Sequence, residues 1–90
     1  MQFVIVENFR NGDAVPVYRR FRDKGRMAPE GLKYVASWVS LDFTRCYQVM
    51  ECDNRELIDE WLAHWSDIVD CDVIPAMTSA EAAAAIAPRL

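Results

Sequence analysis

The chain has 90 residues, which is enough for one domain and too few for two. Its 14 acidic and 10 basic residues give a net charge of −4, which argues against a protein whose main role is to neutralise nucleic-acid phosphates. Three cysteines without a C-x-x-C pair indicate a reducing compartment. The N-terminal segment resembles neither a signal peptide nor a membrane span, so we expect a cytoplasmic protein with no membrane partner.

The first two predicted elements are a buried strand and an amphipathic helix. Phe3–Phe9 (FVIVENF) is β-branched and aromatic and precedes an Asn-Gly turn signal, which predicts a strand buried on both faces. Asp13 can cap the following helix, whose first turn contains Pro16 and whose apolar residues recur at helical spacing. Gly25 is expected to end that helix.

The middle of the chain predicts an antiparallel hairpin. Leu32–Val39 (LKYVASWV) and Arg45–Cys52 (RCYQVMEC) both have the composition of strands, and the short connection between them makes them antiparallel neighbours. We expect a register in which Trp38 lies opposite Cys46. That register decides which side chains share a face of the sheet.

The last part of the chain predicts a helix, a strand and a short second helix. Asp53–Asp67 begins with the D-x-x-E spacing of a capping box and carries an apolar stripe. Ile68–Ala76 alternates as a fourth strand. In the tail, Thr78 and Glu81 again have capping-box spacing, which predicts the short helix.

The order β-α-β-β-α-β predicts one ferredoxin-like α+β domain over residues 1–90, with both main helices on one face of a four-stranded antiparallel sheet. In the expected register the other, open face carries Phe3, Ile5, Glu7, Phe9, Tyr34, Ala36, Trp38, Cys46, Gln48 and Met50. The side chains expected to point to the helices are Val4, Val6, Val35, Val39, Tyr47 and Val49. Because the chain is 52% hydrophobic and such a face is sticky in water, we expect a homodimer that covers it.

Three segments after the first strand carry further motifs: a basic pattern within Arg10–Arg26, M-x-P-E-G-L-x-Y-V-x-S-W at Met27–Trp38, and R-C-Y-Q-x-M-E at Arg45–Glu51. With the first strand, they resemble a family of short bacterial proteins described only as a domain of unknown function, over nearly all of the chain to about Val73. That family is similar to the dimeric α+β barrel superfamily. The resemblance implies a dimer of ferredoxin-like domains. It selects no activity, since the superfamily includes cofactor-free monooxygenases, haem enzymes, isomerases and effector-binding regulators.

Glu7 is the first candidate site residue, because it lies in an otherwise almost wholly apolar strand. A carboxylate there must be paired, hydrogen-bonded or protonated. One interpretation makes Glu7 a general acid or base, or an anchor for a ligand. The alternative is an ion pair with a nearby arginine such as Arg45 or Arg10.

Four further residues complete the candidate ligand site on the expected open face. The amide of Gln48 offers a donor and an acceptor to a ligand, or it hydrogen-bonds Glu7. Tyr34 and Trp38 either grip a flat apolar or aromatic molecule or form the core of the dimer interface, with Met50 beside them.

The sequence predicts no metal and no cofactor. His64, the sole histidine, either ligates haem, as an imidazole does in haem-binding members of the resembled superfamily, or is a partly exposed helix residue, which we favour. The cysteines have no chelating spacing, and Cys46 has no histidine to activate it, so we expect a small buried hydrophobe there. The basic residues from Arg19 to Arg26 are expected to form the solvated face of the first helix rather than an anion site.

These observations favour a module that binds a small molecule in a mostly apolar cavity on the open sheet face of a homodimer. One alternative is a cofactor-free oxygenase or isomerase that uses Glu7 as acid or base. Another is a purely structural or protein-interaction domain. The sequence has no Gly-rich phosphate loop, no nucleophile beside a base and no metal set, so nothing in it requires catalysis.

Overall fold

The computed structural model describes residues 1–90 and has the predicted order of elements. Numbered along the chain, the strands and helices are β1 (Gln2–Phe9), α1 (Val15–Lys24), β2 (Lys33–Val39), β3 (Arg45–Glu51), α2 (Glu56–Ala63), β4 (Val69–Ala76) and α3 (Ser79–Ile86). Single 3₁₀ turns occupy Arg10–Gly12 and Ala87–Arg89. None of the helices has the length and apolar character needed to cross a membrane.

The four strands form one antiparallel sheet in the order β2-β3-β1-β4. Both α1 and α2 supply side chains to the core on the same side of this sheet, and the opposite side carries no helix of the β-α-β-β-α-β unit. The predicted ferredoxin-like α+β fold is therefore confirmed. The face toward α1 and α2 is called the inner face below, and the opposite one the outer face.

The predicted faces of β1 are wrong. Its buried residues are Phe3, Ile5, Glu7 and Phe9, and they lie on the inner face, whereas Val4 and Val6 lie on the outer face. Each face of this strand carries both apolar and polar residues, with Glu7 on the inner face and Gln2 and Asn8 at the ends of the outer one, so alternation in the central FVIV run does not distinguish the two faces. The strand is oriented by the large side chains, which fill the space under the helices.

The predicted register between β2 and β3 is wrong by one residue. Trp38 pairs with Tyr47, and Cys46 pairs with Val39. Because side chains alternate, a slip of one residue moves every side chain of β3 to the other face. Three residues expected on the open face thus belong to the inner face: Cys46, Gln48 and Met50. Val39 lies on the inner face as predicted, and Tyr47 lies on the outer face.

A β-bulge in β2 explains a further correction. Tyr34 pairs with Met50, and the next paired residue of β2 is Ala36, so Val35 is the extra residue. The bulge places Tyr34 on the inner face, contrary to the prediction. Beyond it, Ala36 and Trp38 lie on the outer face as predicted.

The core lies between the inner face and the two helices. Its buried apolar members are Phe3, Ile5, Phe9, Leu32, Met50, Cys52, Ile58, Trp61, Trp65 and Val69. Trp61 is 1% exposed and Trp65 is 5% exposed. A tryptophan buries about 200 Å² at roughly 25 cal/mol per Å², so each contributes about 5 kcal/mol toward holding α2 and the turn after it on the sheet.

Helix α1 ends as predicted, but Ala14 rather than Asp13 is its N-cap. The Oδ1 of Asp13, one residue earlier, accepts a 3.0 Å hydrogen bond from the N–H of Val15. Gly25 ends the helix with a φ of 70°, which costs glycine little. Arg20 joins α1 to the turn after α2, because its two Nη atoms each lie 2.7 Å from a carboxylate oxygen of Asp67. That guanidinium holds the pKa of Asp67 at about 2.

The other two helices differ in how they start. The predicted capping box between Asp53 and Glu56 does not form, because the Oδ1 of Asn54 accepts the N–H of Glu56 at 2.9 Å and α2 begins later than expected. The predicted capping box of Thr78 and Glu81 is present at the start of α3. Every residue of α3 is exposed.

Candidate functional site

A cleft of about 190 Å³ lies between the inner face and the helices. Its walls are mostly aromatic and aliphatic, and they come from β1, α1 and the segment around α2: Phe9, Val17, Tyr18, Phe21, Trp61 and Trp65. Glu7, Arg26 and Gln48 are among its polar lining residues. The cleft therefore contains two of the predicted site residues, but it lies on the opposite side of the sheet from the predicted cavity.

Glu7 enters the cleft from the middle of β1. It is 7% exposed, and burial raises the pKa of its carboxyl, while a hydrogen bond with the Cys46 thiol and the charge of Arg26 act in the opposite direction. The alternative of an ion pair with Arg10 or Arg45 is wrong. Arg10 pairs with Asp70, and the guanidinium of Arg45 donates to the hydroxyl of Tyr47. Glu7 thus lacks a direct cationic partner.

Gln48 is the neighbour of Glu7 and is 4% exposed. Its Nε2 donates to the Oε2 of Glu7 at 3.4 Å, which is one of the two roles predicted for this amide. The Oε1 of Gln48 accepts a 3.0 Å hydrogen bond from the Nε of Arg26. The amide therefore bridges a guanidinium and a buried carboxyl that do not form an ion pair with each other.

Arg26 is the functional residue that sequence reasoning missed, because it was grouped with the solvated arginines of α1. Its guanidinium carbon lies 3.9 Å from the ring centroid of Tyr34 and 5.2 Å from that of Phe21. A usable signal was present in the sequence. Arg26 follows the helix-ending Gly25, so it does not belong to the helical wheel on which its neighbours were placed.

The backbone of Arg26 is fixed by two tryptophans. Its carbonyl accepts the indole N–H of Trp61 at 2.9 Å and that of Trp65 at 3.1 Å. Gly25 before it and Met27 after it both have positive φ, 70° and 61°. The core aromatic residues thus determine where this loop runs, and the loop places the guanidinium at the cleft.

Two thiols flank Glu7 in the sheet, since Cys46 and Cys71 are its partners on β3 and β4. Burial, and then the charge of Glu7, raises the pKa of each thiol to about 12. Both groups therefore hold their protons at neutral pH, which makes them poor nucleophiles. This agrees with the expectation of a small hydrophobe at Cys46.

The remaining predicted residues are distributed around the cleft and away from it. Tyr34 borders the site through its stacking with Arg26, and Met50 is 0% exposed in the core. Trp38 is 63% exposed on the outer face, so the structure does not bring it together with Glu7. His64 is exposed at the end of α2 and does not line the cleft.

The outer face has an apolar centre and a charged rim. The centre consists of Val4, Val6, Ala36, Trp38, Tyr47, Val49 and Ile74. The rim carries Lys33 on β2, Arg45 and Glu51 on β3, and Asp70 and Asp72 on β4. This surface therefore combines exposed apolar area with charges of both signs on β2 and β3 and acidic residues along the β4 edge.

The cleft can position a polar group of a small molecule. Arg26 offers donors, Glu7 offers an acceptor or, when protonated, a donor, and Gln48 fixes both. No group of three or more His, Cys, Asp or Glu side chains is arranged to hold a metal ion. The chemistry available is therefore hydrogen bonding, charge pairing and proton transfer by Glu7.

Comparison with known protein families identifies the chain. The model of the family described as "Domain of unknown function (DUF3303)" matches residues 1–90, so the chain belongs to this family, and the resemblance seen in the sequence is confirmed. No curated protein and no solved structure matches the chain. The family's description carries no activity, and function is therefore inferred from the cleft and the outer face.

Proposed function

We propose that this member of the DUF3303 family binds a small, mostly apolar molecule in the cleft on the inner face, and that it does so as a homodimer. The observation that carries the proposal is the convergence of Glu7, Gln48 and Arg26 in a cleft walled by aromatic side chains. A concave apolar site with a few convergent polar groups and a titratable residue of shifted pKa is the usual form of a ligand site.

The size of the cleft limits the ligand. A dry apolar cavity of about 150 Å³ accommodates benzene. The cleft provides about 190 Å³, which suits one six-membered ring with a short substituent. Tyr18, Phe21 and Trp61 would contact the faces or edges of such a ring.

The site is formed before any ligand arrives. Every buried side-chain nitrogen and oxygen of the chain has a hydrogen-bond partner. Arg26 is already held by Gln48 and by its stacking on Tyr34. Binding therefore requires little reorganisation of these groups, which favours affinity.

The outer face supports the homodimer. A second copy packed on it would cover the exposed side chains of Trp38, Tyr47 and Ile74. If the two sheets are related by a two-fold axis, Arg45 of one outer face can meet Asp72 on the acidic β4 edge of the other. A domain of this length also gains stability from dimerisation, because small domains bury a modest share of their surface.

The binding proposal is tested by titrating the protein with single-ring aromatic compounds while recording amide and indole N–H resonances. The expected result is saturable shifts at Arg26, Gln48 and Trp61. In the cleft-filling variant Val17→Phe these shifts should weaken or vanish, whereas Val15→Phe, on the exposed side of the same helix, should behave as the wild type. Shifts spread over the surface, or unchanged binding by Val17→Phe, would contradict the proposal.

A second candidate is catalysis without a cofactor, in which Glu7 transfers a proton in an isomerase or oxygenase reaction. The observation that favours it is the raised pKa of a carboxyl that faces the cleft. A compound that binds would be incubated with the protein, with and without dioxygen, and its spectrum followed. Turnover that disappears in Glu7→Gln while binding persists would support an enzyme. If no bound compound is converted, the catalytic candidate is wrong and the protein is a binding module.

A further inference from the structure

We propose that the ligand is an organic acid, an apolar or aromatic molecule whose carboxylate pairs with the free Nη atoms of Arg26. This inference rests on the proposed binding function and names the class of molecule that the cleft selects. It is carried by the donor arrangement of Arg26 within an aromatic cleft.

Arg26 retains two donor groups for a ligand. Its Nε donates to Gln48, and neither Nη1 nor Nη2 makes a hydrogen bond within the chain. Every buried side-chain nitrogen of the chain has a hydrogen-bond partner. Since the two Nη atoms of Arg26 have none, both are exposed to solvent. A guanidinium presents its N–H groups as a planar fork that fits the two oxygens of a carboxylate.

The charge of Arg26 is not paired by the protein. Four other arginines form ion pairs with aspartates: Arg10, Arg20, Arg22 and Arg55. Arg26 forms none, although Glu7 lies in the same cleft, because Gln48 stands between them. A cation that is fixed and half-buried without an ion-pair partner favours an incoming anion.

The orientation of the guanidinium is fixed from three directions. Tyr34 stacks on it at 3.9 Å, Phe21 lies at 5.2 Å, and Gln48 holds the Nε. The carbonyl of Arg26 is bound by the indoles of Trp61 and Trp65. Such a group differs from a mobile surface arginine, because little side-chain freedom is left to lose when it binds.

Glu7 couples binding to a proton. The charged or titratable groups facing it are Tyr18 on α1, Cys46 on β3, Cys71 on β4 and Arg26, whereas α2 contributes the uncharged Trp61 to the cleft. A ligand carboxylate would form an ion pair with Arg26, whose positive charge now stabilises ionised Glu7. The pKa of Glu7 would then rise further, so Glu7 takes up a proton when the acid binds. Affinity for the acid should therefore rise as the pH falls toward the range in which Glu7 protonates.

The experiment compares acids with their neutral amides, which have the same shape. Benzoate and benzamide, and phenylacetate and phenylacetamide, are titrated into the wild type and followed by NMR. Because a charge-assisted pair is about twice as strong as a neutral one, each acid should bind about tenfold tighter than its amide or more. Arg26→Gln should remove this preference and Arg26→Lys should keep part of it. Arg19→Gln, an exposed change without an ion pair, should leave the preference intact.

The outcomes separate the two proposals. If acids and amides bind equally well in the cleft, the organic-acid inference is wrong and the binding function stands. If neither series shifts the resonances of the cleft, both are wrong. The ratio of acid to amide affinity in the wild type tests the organic-acid inference even if Arg26→Gln fails to fold.

Discussion

The Nε of Arg26 donates a 3.0 Å hydrogen bond to the Oε1 of Gln48, and this contact sets the direction of the whole amide. A guanidinium has only donors, so it takes the amide oxygen and leaves the Nε2 for Glu7 at 3.4 Å. The guanidinium of Arg26 and the buried carboxyl of Glu7 are therefore linked by hydrogen bonds through the side chain of Gln48. Chains of hydrogen bonds of this kind are costly to interrupt, because each member loses a partner.

Replacing Gln48 by leucine should destabilise the protein by about 1–3 kcal/mol, because the carboxyl of Glu7 is left buried with one donor fewer. The free energy of unfolding is measured by urea titration. The control is Glu60→Leu, a polar-to-leucine change at an exposed position of α2 outside the outer face, where we expect a change within about 0.5 kcal/mol. Equal stability of Gln48→Leu and the wild type would mean that the bridge contributes nothing.

Glu7→Gln should alter how stability depends on pH. The pKa of Glu7 is raised, chiefly by burial, so between its ordinary value of 4.5 and the raised value the folded protein binds more protons than the unfolded chain. The free energy of unfolding of the wild type therefore falls as pH rises through this window, by about 1.4 kcal/mol for each unit by which the pKa is raised. Glu7→Gln lacks this loss, so its free energy of unfolding relative to that of the wild type should increase as the pH rises above 4.5 through this window.

The pH comparison needs a control for the loss of one negative charge. Glu60→Gln removes the same charge from an exposed side chain of α2 that does not line the cleft. The difference between the two variants reports the titration of Glu7. If the free energy of unfolding of the two variants depended on pH in the same way, burial would not raise the pKa of Glu7.

The thiols beside Glu7 should react slowly in the folded protein. The pKa of Cys46 and that of Cys71 are raised to about 12, so the thiolate fraction of each near pH 8 is about a thousandfold below that of a free cysteine. The rate of reaction with an aromatic disulfide is measured in Cys52→Ala, which leaves these two thiols alone. We expect almost no reaction until denaturant is added.

An exposed thiol provides the reference rate for that measurement. Adding Ser66→Cys to the same variant places one thiol in the exposed turn after α2, and that thiol should react about a hundredfold faster than the others or more. A second fast phase in the folded protein would indicate that Cys46 or Cys71 is accessible and ionised, which the structure does not predict.

Trp38→Asp should separate the proposed homodimer into monomers. A large aromatic side chain at the centre of an interface commonly contributes about 2 kcal/mol or more, so the dissociation constant should rise about thirtyfold or more. Sedimentation equilibrium over a range of concentrations measures it. The indole is 63% exposed in one chain, so the substitution should leave the monomer folded.

The control for the dimer experiment is Leu41→Asp, which changes a residue that is 99% exposed in the turn between β2 and β3. This variant should dimerise as the wild type does. If the wild type is monomeric at high concentration, or if both variants weaken the dimer equally, the outer face is not the interface.

The sequence was sufficient for the elements and the fold because their signals are local. Gly25 ends α1 through its own backbone, and Thr78 and Glu81 start α3 through their own side chains. The four strand boundaries agree with prediction to within one residue, since turn-forming residues bound each strand. The fold class then followed from the order of elements alone.

The site depended on information that is not local. The centre of β1 is apolar on both faces, so packing under the helices decides that Glu7 points inward. The slip of one residue between Trp38 and Tyr47 has no marker in either strand. Glu7 and Gln48 were still predicted to share a face, because β1 and β3 were both assigned to the wrong side of the sheet. The position of Arg26 at the cleft was not predicted, because it depends on a loop that Trp61 and Trp65, distant in sequence, hold in place.

Tyr34 and Ser37 are three residues apart in one strand, yet their hydroxyl groups share a 2.8 Å hydrogen bond. In a strand without Val35 as an extra residue, side chains at that spacing would project from opposite sides of the sheet. The stacking partner of Arg26 is thus present because of one added residue, while the strand order does not depend on it. Loss of that residue would turn the phenol away from the guanidinium and preserve the architecture. One residue in β2 therefore sets the surroundings of the Arg26 guanidinium independently of the fold.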